Sequence, residues 1–504
     1  MKVQARYAPS PTGNQHIGGV RTALFNYLFA RSMGGKFILR LEDTDRTRCD
    51  EKFVRNLYDT FDWLGFHWDE GPDVGGPNAP YIQSQRSELY KKYADELLEK
   101  DKAYYCFCTT ERLDEVRKGR EASHSSESGY DRFCRNIARD EASRRAAAGE
   151  AHTIRLKIPL GEDGKDTPVT AFFDHVLGDI EWKNDAVNPD PVLLKSDSFP
   201  TYHLANVVDD HLMGITHVLR AQEWMPSTPL HVIMYRAFGW EVPQFCHLPM
   251  VMGTDGKKLS KRHGSTGIDE FRLQGFLPEA LINYIALLGC SYEEGKDFFT
   301  LDELAGRFSL EKLSKAPAVF DYKKLEWYNA NYIRGKSDEE LAALSLPYAV
   351  EQGLFGKAGQ APDSTQNALY TTAMPLVKER AIFLAELPAK LDYLFTEIEL
   401  PSKEEFFPKK ANLDETITLL KAGRSIVANL AAAGSDDEAE SIVKSFAEKE
   451  DLKLGDLMMP LRVAITGTRV SPPLFGSLRL LGSVKAVERV ERALAALERY
   501  TKDN

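Results

Sequence analysis

The sequence predicts an α/β protein: a doubly wound parallel sheet, an inserted α+β domain and an all-helical carboxy-terminal half. Three observations predict it. The first 45 residues run strand, loop, helix, strand; further strand and helix signals fill about 191–251; and helical periodicity dominates from about residue 267 onward.

In chain order, VQARYA is a short strand closed by the turn-forming Pro9-Ser10-Pro11-Thr12-Gly13. Val20, Leu24, Tyr27 and Leu28 repeat at helical spacing to about Met33, Gly34-Gly35 ends that helix, and KFILRLED is the next strand. This is a βαβ unit, which requires parallel strands with a helix packed across them. THVLRA and PLHVIMYRAFG extend the pattern, so residues 1–105 and 190–266 are expected to form one split, Rossmann-like domain. The polar, turn-rich segment 106–189, with its run ARDEASRRAAAGE, is the expected insertion. Segments 267–335 and 336–504 are expected to be helical domains. Phe383, Leu387, Leu391 and Leu394 line one helix face, and Val484, Val487, Val490, Leu494 and Leu497 another, with Ser483 as its N-cap.

A chain of 504 residues is too long for one hydrophobic core. Its net charge of −11 argues against indiscriminate nucleic-acid binding, while leaving room for a specific RNA on a local basic surface. No segment approaches the roughly 18–20 uninterrupted apolar residues of a membrane span. The start, MKVQARYAPSPTG, has no apolar signal core, so a cytoplasmic location without membrane partners is expected. Six cysteines in such a chain do not make a disulfide framework.

The chemistry concentrates in two stretches. SPTGNQHIGGVRTALF, Ser10–Phe25, places His16, Gly18 and Gly19 where a helix begins beyond a strand's carboxyl end, the position at which doubly wound folds bind ligands. Glycine lacks a Cβ, so a base or ribose can approach the backbone, and the helix start favours phosphate. His16 is placed to donate to a phosphate oxygen as charge develops. Read alone, the stretch is better explained by His16 capping a helix and the glycines permitting tight packing. No G-x-G-x-x-G follows the first strand, and MGTDGKKLS lacks the spacing of a Walker loop. The second stretch, GKKLSKRHGS, carries Lys257, Lys258, Lys261, Arg262 and His263 between glycines. It reads either as a loop closing over polyphosphate or as a solvated basic loop.

Together the two stretches resemble the paired signatures of class I aminoacyl-tRNA synthetases. HIGG, His16–Gly19, resembles their HIGH element with glycine for the last histidine, and KLSKR, Lys258–Arg262, resembles their KMSKS loop. With LEDTD, YHLANVVDD and LRVAITGTRVSPPLFGSLRLLG, the resemblance to bacterial glutamyl-tRNA synthetases covers nearly the whole chain. Asn14-Gln15 departs from that pattern, in which a leucine is more usual, and is expected to alter packing rather than chemistry.

The resemblance implies a glutamate–tRNA ligase that makes glutamyl-adenylate from L-glutamate and ATP with Mg²⁺, then transfers glutamate to the 3′ end of tRNA(Glu). It leaves open whether tRNA(Gln) is charged too. It further implies a monomer, in which 106–189 receives the acceptor end, 267–335 contacts the stem and 336–504 binds the anticodon. For ATP it implies His16, Gly18, Gly19, Lys258, Ser260 and Lys261, with His16, Lys258 and Lys261 catalytic. For glutamate it implies Arg6, Ser10, Glu42, Tyr202, Asn206 and Arg220, Glu42 holding the α-amino group and Tyr202 the polar end. Two of these also follow from the residues: a guanidinium matches a carboxylate bidentately, and Arg6 and Arg220 lie on the two expected strands. A glutaminyl enzyme would carry β-barrels at the carboxy end, and a small-molecule nucleotidylyltransferase would not need the helical half.

YYCFC and the later YDRFC bring three cysteines into one segment. Some members of the family hold structural zinc through C-x-C and Y-x-x-x-C, which here implies Cys106, Cys108, Tyr130 and Cys134. Asn136 stands where other members carry histidine, and His124 is an alternative fourth ligand. Three reduced, partly buried cysteines without metal are the competing account.

Overall fold

The computed structural model describes residues 2–45, 48–122, 129–161, 168–409 and 411–502; His124 lies outside them. The chain packs as two compact units, Met1–Phe271 with Leu281–Asp321, and Arg272–Ala280 with Tyr322–Asn504.

In the first unit, the strand Gln4–Tyr7 pairs in parallel with Lys36–Leu39, Arg6 opposite Ile38, and the helix Ile17–Ser32 makes the crossover. The apolar centres of both strands explain their position: Ala5, Phe37, Ile38 and Leu39 are fully buried. On the other flank the Thr216 amide donates to the Gln4 carbonyl at 3.0 Å, which lays the strand His217–Ala221 alongside. That strand pairs in parallel with Gln244–Leu248. The sheet is therefore parallel and doubly wound, and its carboxyl ends, where Glu42 and Arg220 stand, share one rim.

The inserted segment is α+β. Its strand Thr153–Leu156 pairs antiparallel with Ala103–Cys106 and Val192–Leu194, which lie at and just beyond the expected bounds 106–189, so the three-stranded sheet straddles both expected boundaries. The hairpin Val169–Asp174 and Gly178–Lys183 joins the main sheet through one parallel bridge, Asp174 to Phe245.

Among the described residues of the second unit the regular elements are helices. Leu413–Ala432 is central, started by a reciprocal Asn412/Glu415 capping box and buried along Ile417, Leu420, Val427 and Leu430. Each such side chain contributes roughly 1.5–3 kcal/mol by leaving water. Gly423 lets the helix Leu454–Thr466 cross closely, because a Cβ there would lie 2.7 Å from Leu461 Cγ.

Three residues depart from the sequence expectations: Phe383, Ser483 and Val484. Phe383 precedes the helix Leu387–Phe395, because Glu386 accepts the Ile382 and Phe383 amides in a turn and Pro388 then sits in the first helical turn. Ser483 is the first residue of the last helix, its hydroxyl donating to the Ala428 carbonyl at 3.1 Å, and Val484 is 73% exposed rather than packed. Val490, Leu494 and Leu497 are buried on the expected face. Among the described residues, no helix is long and apolar enough to cross a membrane.

Candidate active site

Arg6, on the central strand, is buried and bonded to Asp210: Nε reaches Oδ1 at 3.0 Å and Nη2 reaches Oδ2 at 3.1 Å. Asp210 also accepts from Arg40 Nη1 at 2.7 Å, and Arg40 Nη2 donates to Glu42 Oε1 at 3.0 Å. Asn206 Nδ2 donates to the same Glu42 oxygen at 3.0 Å. One chain of charge thus runs from Arg6 through Asp210 and Arg40 to Glu42. Burial opposes the Asp210 charge, but the Arg6 and Arg40 guanidinia outweigh it and hold the carboxyl below its ordinary value. At Glu42 burial wins over Arg40 and pushes the carboxyl up.

Arg220, at the end of its strand, is fixed differently. Nη2 donates to Thr228 Oγ1 at 2.7 Å and to the Trp224 carbonyl at 3.2 Å, Nε to His247 Nε2 at 3.0 Å, and Nη1 to the Tyr202 hydroxyl at 3.4 Å. Only 5% of Arg220 is exposed, yet it makes no ion pair among the described residues. Burial accordingly lowers its pKa. A buried guanidinium held only by neutral groups is costly, and a carboxylate ligand would relieve that cost. Tyr202 lies within the fields of Arg220, Glu42, Arg6 and Asp210, and burial pushes its phenol up to about 12. Arg6, Glu42, Asn206, Tyr202 and Arg220 are therefore gathered from two strands, the helix Tyr202–Leu212 and the segment after the strand Lys36–Leu39; Ser10 lies exposed on the loop after the first strand, outside this set.

His16 caps the first helix, its Nδ1 accepting from the Gly18 and Gly19 amides at 3.1 and 3.3 Å. That bond requires a bare Nδ1, so Nε2 carries the proton and is the ring's free donor. Desolvation first, then the Lys258 ammonium, lower the His16 pKa and keep the ring neutral. The glycines answer to packing as well: a Cβ on Gly18 would lie 3.2 Å from the His16 ring and one on Gly19 2.8 Å from the Tyr7 hydroxyl.

The lysine loop is anchored beside this helix start. The Ile17 amide donates to the Thr266 carbonyl and the Ile268 amide to the Gln15 carbonyl, each at 3.0 Å, so His16 and Gly267 form an antiparallel bridge. The departure at Asn14-Gln15 takes part in this latch: Asn14 and Asn56 both donate to Asp269 Oδ2, and Gln15 Oε1 accepts from Tyr7. Within the loop Met252 bridges Lys258, and Ser260 caps the short turn Lys261–His263 in reciprocal bonds with His263. Lys258 is paired with Glu223, while the exposed Lys261 makes no ion pair among the described residues.

Cys106, Cys108 and Cys134 place their sulfurs within 4.8 Å of one another. The Tyr130 hydroxyl lies 3.3 Å from Cys106 Sγ and 3.5 Å from Cys108 Sγ. Sulfurs at about 2.3 Å from a tetrahedral zinc stand about 3.8 Å apart, so this donor set fits the ion. Burial raises the Cys108 thiol to about 12, a cost that a bound cation would reverse.

Asp210, Arg40, His247 and Thr228 were absent from the residues singled out in the sequence. A doubled aspartate inside the apolar helix Tyr202–Leu212 was the available signal for the first; Arg40 lay in plain sight between buried Leu39 and Leu41.

Comparison with known proteins identifies the family of the chain. Residues 2–327 match the family model of the catalytic domain of class I tRNA synthetases (E and Q), and 340–494 match an anticodon-binding domain. The chain is 55% identical to the glutamate–tRNA ligase of Treponema denticola over 98% of its own length and 99% of that protein's. It is 49% identical to the Borrelia duttonii glutamate–tRNA ligase, covering 99% and 97%. A crystal structure of a glutamate tRNA ligase from Elizabethkingia meningosepticum, in complex with its amino acid, superposes with a TM-score of 0.87 at 33% identity, covering 99% of this chain and all of that one. The chain belongs to the glutamate–tRNA ligase family of class I tRNA synthetases.

Proposed function

We propose that the chain activates L-glutamate with ATP and transfers it to the 3′ end of tRNA(Glu), with the pocket of Arg6, Glu42, Tyr202, Asn206 and Arg220 as the glutamate site. The observation that carries this reading is the buried Arg220, fixed by neutral groups and without a carboxylate partner among the described residues. The substrate's γ-carboxylate is the missing anion. Glu42, bonded by Arg40 and Asn206, takes the α-ammonium.

The α-carboxylate then lies toward the helix start, where an oxygen attacks the α-phosphorus of ATP and pyrophosphate departs. Mg²⁺ carried by ATP neutralises phosphate charge. The His16 Nε2 proton and the Lys261 ammonium face charge that grows on the phosphate oxygens, and Gly18, Gly19 and Ser260 admit the nucleotide closely. In the second step the terminal ribose hydroxyl attacks the glutamyl carbonyl, AMP leaves, and the proton passes to the departing phosphate. No protein base is required.

In the same reading 106–189 receives the acceptor end, 267–335 contacts the stem and 336–504 binds the anticodon loop, whose unpaired bases suit side-chain recognition. Cys106, Cys108, Tyr130 and Cys134 hold a structural zinc, and the enzyme works as a cytoplasmic monomer. Among the described residues of 340–494 the regular elements are helices, not the β-barrels of a glutaminyl enzyme.

The test is ATP–pyrophosphate exchange and aminoacylation with glutamate or glutamine, with and without each tRNA. Glutamate alone should support both. Turnover with glutamine, or none with glutamate, overturns the assignment.

A further inference from the structure

We infer that His247 is a positioning residue for glutamate recognition, acting as a tautomer-locked acceptor that aims Arg220, with Asp174 holding the lock. The inference rests on the reading of Arg220 as the carboxylate-binding residue.

A guanidinium Nε–H can only donate, and Arg220 Nε lies 3.0 Å from His247 Nε2. His247 Nε2 must therefore be bare, because a proton there would face another proton. The ring proton then sits on Nδ1, and Nδ1 lies 2.7 Å from Asp174 Oδ2. Asp174 is itself immobilised: Oδ1 accepts the Val176 and Leu177 amides at 3.0 and 2.9 Å, and Oδ2 also accepts the His247 amide at 3.0 Å. Both side chains are wholly buried. Asp174 is the last residue of its strand and, among the described residues, the point where the inserted hairpin bridges the main sheet. Thr228 completes the cradle by accepting Arg220 Nη2. The consequence is a guanidinium whose Nε edge is spoken for by an uncharged ring, leaving its charge unneutralised for a ligand. Asp174 donates orientation rather than charge, since the imidazole stands between it and Arg220.

The experiment uses full-length enzyme, a tRNA with a glutamate anticodon, and steady-state aminoacylation with glutamate and ATP varied separately. Loss of one hydrogen bond to a charged group should raise the glutamate KM of His247→Ala roughly tenfold to a hundredfold. The ATP KM should stay within about twofold, since no ATP-binding group is touched. His247→Gln, which can set a carbonyl oxygen near the Nε2 position, should recover most of the loss, and His247→Asn should not. In an Arg220→Ala background His247→Ala should add little, because the group it aims is gone. Equal rises in the two KM values, a harmless His247→Ala, or full additivity with Arg220→Ala would overturn the inference. If His247→Ala does not fold, the contrast between Gln and Asn decides, equal KM values for those two counting against it. Should Arg220→Ala itself leave the glutamate KM unchanged, the reading of the pocket fails rather than the positioning role alone.

Discussion

Asp210→Asn removes one negative charge with almost no change of shape, at a carboxylate that serves two buried arginines. Arg6 has no other ion partner among the described residues, whereas Arg40 keeps Glu42 at 3.0 Å and Asp209 at 3.7 Å. The loss therefore falls mainly on Arg6. Breaking a buried pair from one side costs about 3–5 kcal/mol, because the remaining charge is left uncompensated. For a unit of about 300 residues each kcal/mol shifts the midpoint by about 1.5 °C, so a fall of roughly 5–8 °C is expected. Thermal unfolding followed by intrinsic fluorescence measures it, with the glutamate KM in parallel. That KM should rise, since the added positive charge repels the α-ammonium and frees Arg6 to move. The native Asp210 carboxyl is depressed by its arginines. Its contribution is therefore complete above the unfolded carboxylate range and lost as pH falls through the lower folded value, and Asp210→Asn should weaken that acid limb. A midpoint within about 2 °C of the wild type, with unchanged KM, would refute the claim that Asp210 carries Arg6.

Other consequences are open to direct measurement. Lys261→Ala should lower the rate of adenylate formation by roughly 10²–10³ while leaving the glutamate KM within a few-fold, as removal of a charge-stabilising donor does; equal losses would mark the loop as merely structural. His203 has its pKa lowered to about 4 by burial and Arg220. A histidine depressed on folding stabilises fully above its unfolded value of 6.5, and that share, at most about 3 kcal/mol, is lost as pH falls from 6.5 toward 4. Stability measured at pH 7 and pH 5 should thus differ less in His203→Gln than in the wild type; identical slopes would exclude the assignment. Enzyme purified without chelators should contain about one zinc per chain, and Cys134→Ala should lose it. Absence of zinc by elemental analysis would leave three reduced thiols.

Much of the first unit was legible because strand and helix periods change sharply at residues with one physical job. Pro9–Gly13 turns the chain, His16 starts the helix and Gly34-Gly35 ends it. The resemblance supplied the grouping of Arg6, Glu42, Tyr202, Asn206 and Arg220, which no local pattern links. What stayed hidden is long-range pairing. Arg6 and Asp210 lie 204 residues apart, and Asp174 and His247 lie 73 apart. Periodicity reports which face is buried but not which opposite charge waits there. Val484 failed for a different reason: in the first turn of a helix the apolar stripe need not have reached its partner.

The contrast between the two arginines says why the site is built from expensive groups. Arg6 is neutralised by a carboxylate and so is structurally complete; Arg220 is held by a hydroxyl, a carbonyl, a phenol and the imidazoles of His247 and His231, and so is held without being neutralised. At Arg220, where no partner charge would be left behind, an apolar residue would serve the fold as well or better if folding were the only demand; at Arg6 it would strand the buried Asp210 carboxylate. Supplying Arg220 with an internal carboxylate should therefore help the fold and harm the site. Thr228, buried and 2.7 Å from Nη2, is the position for it. Thr228→Asp should show a thermal midpoint no lower than Thr228→Ala, yet a glutamate KM higher by about tenfold or more, because the new carboxylate competes for the guanidinium. If Thr228→Ala impaired glutamate binding as severely as Thr228→Asp, geometry alone would govern Arg220, and the uncompensated charge would lose its place in the argument.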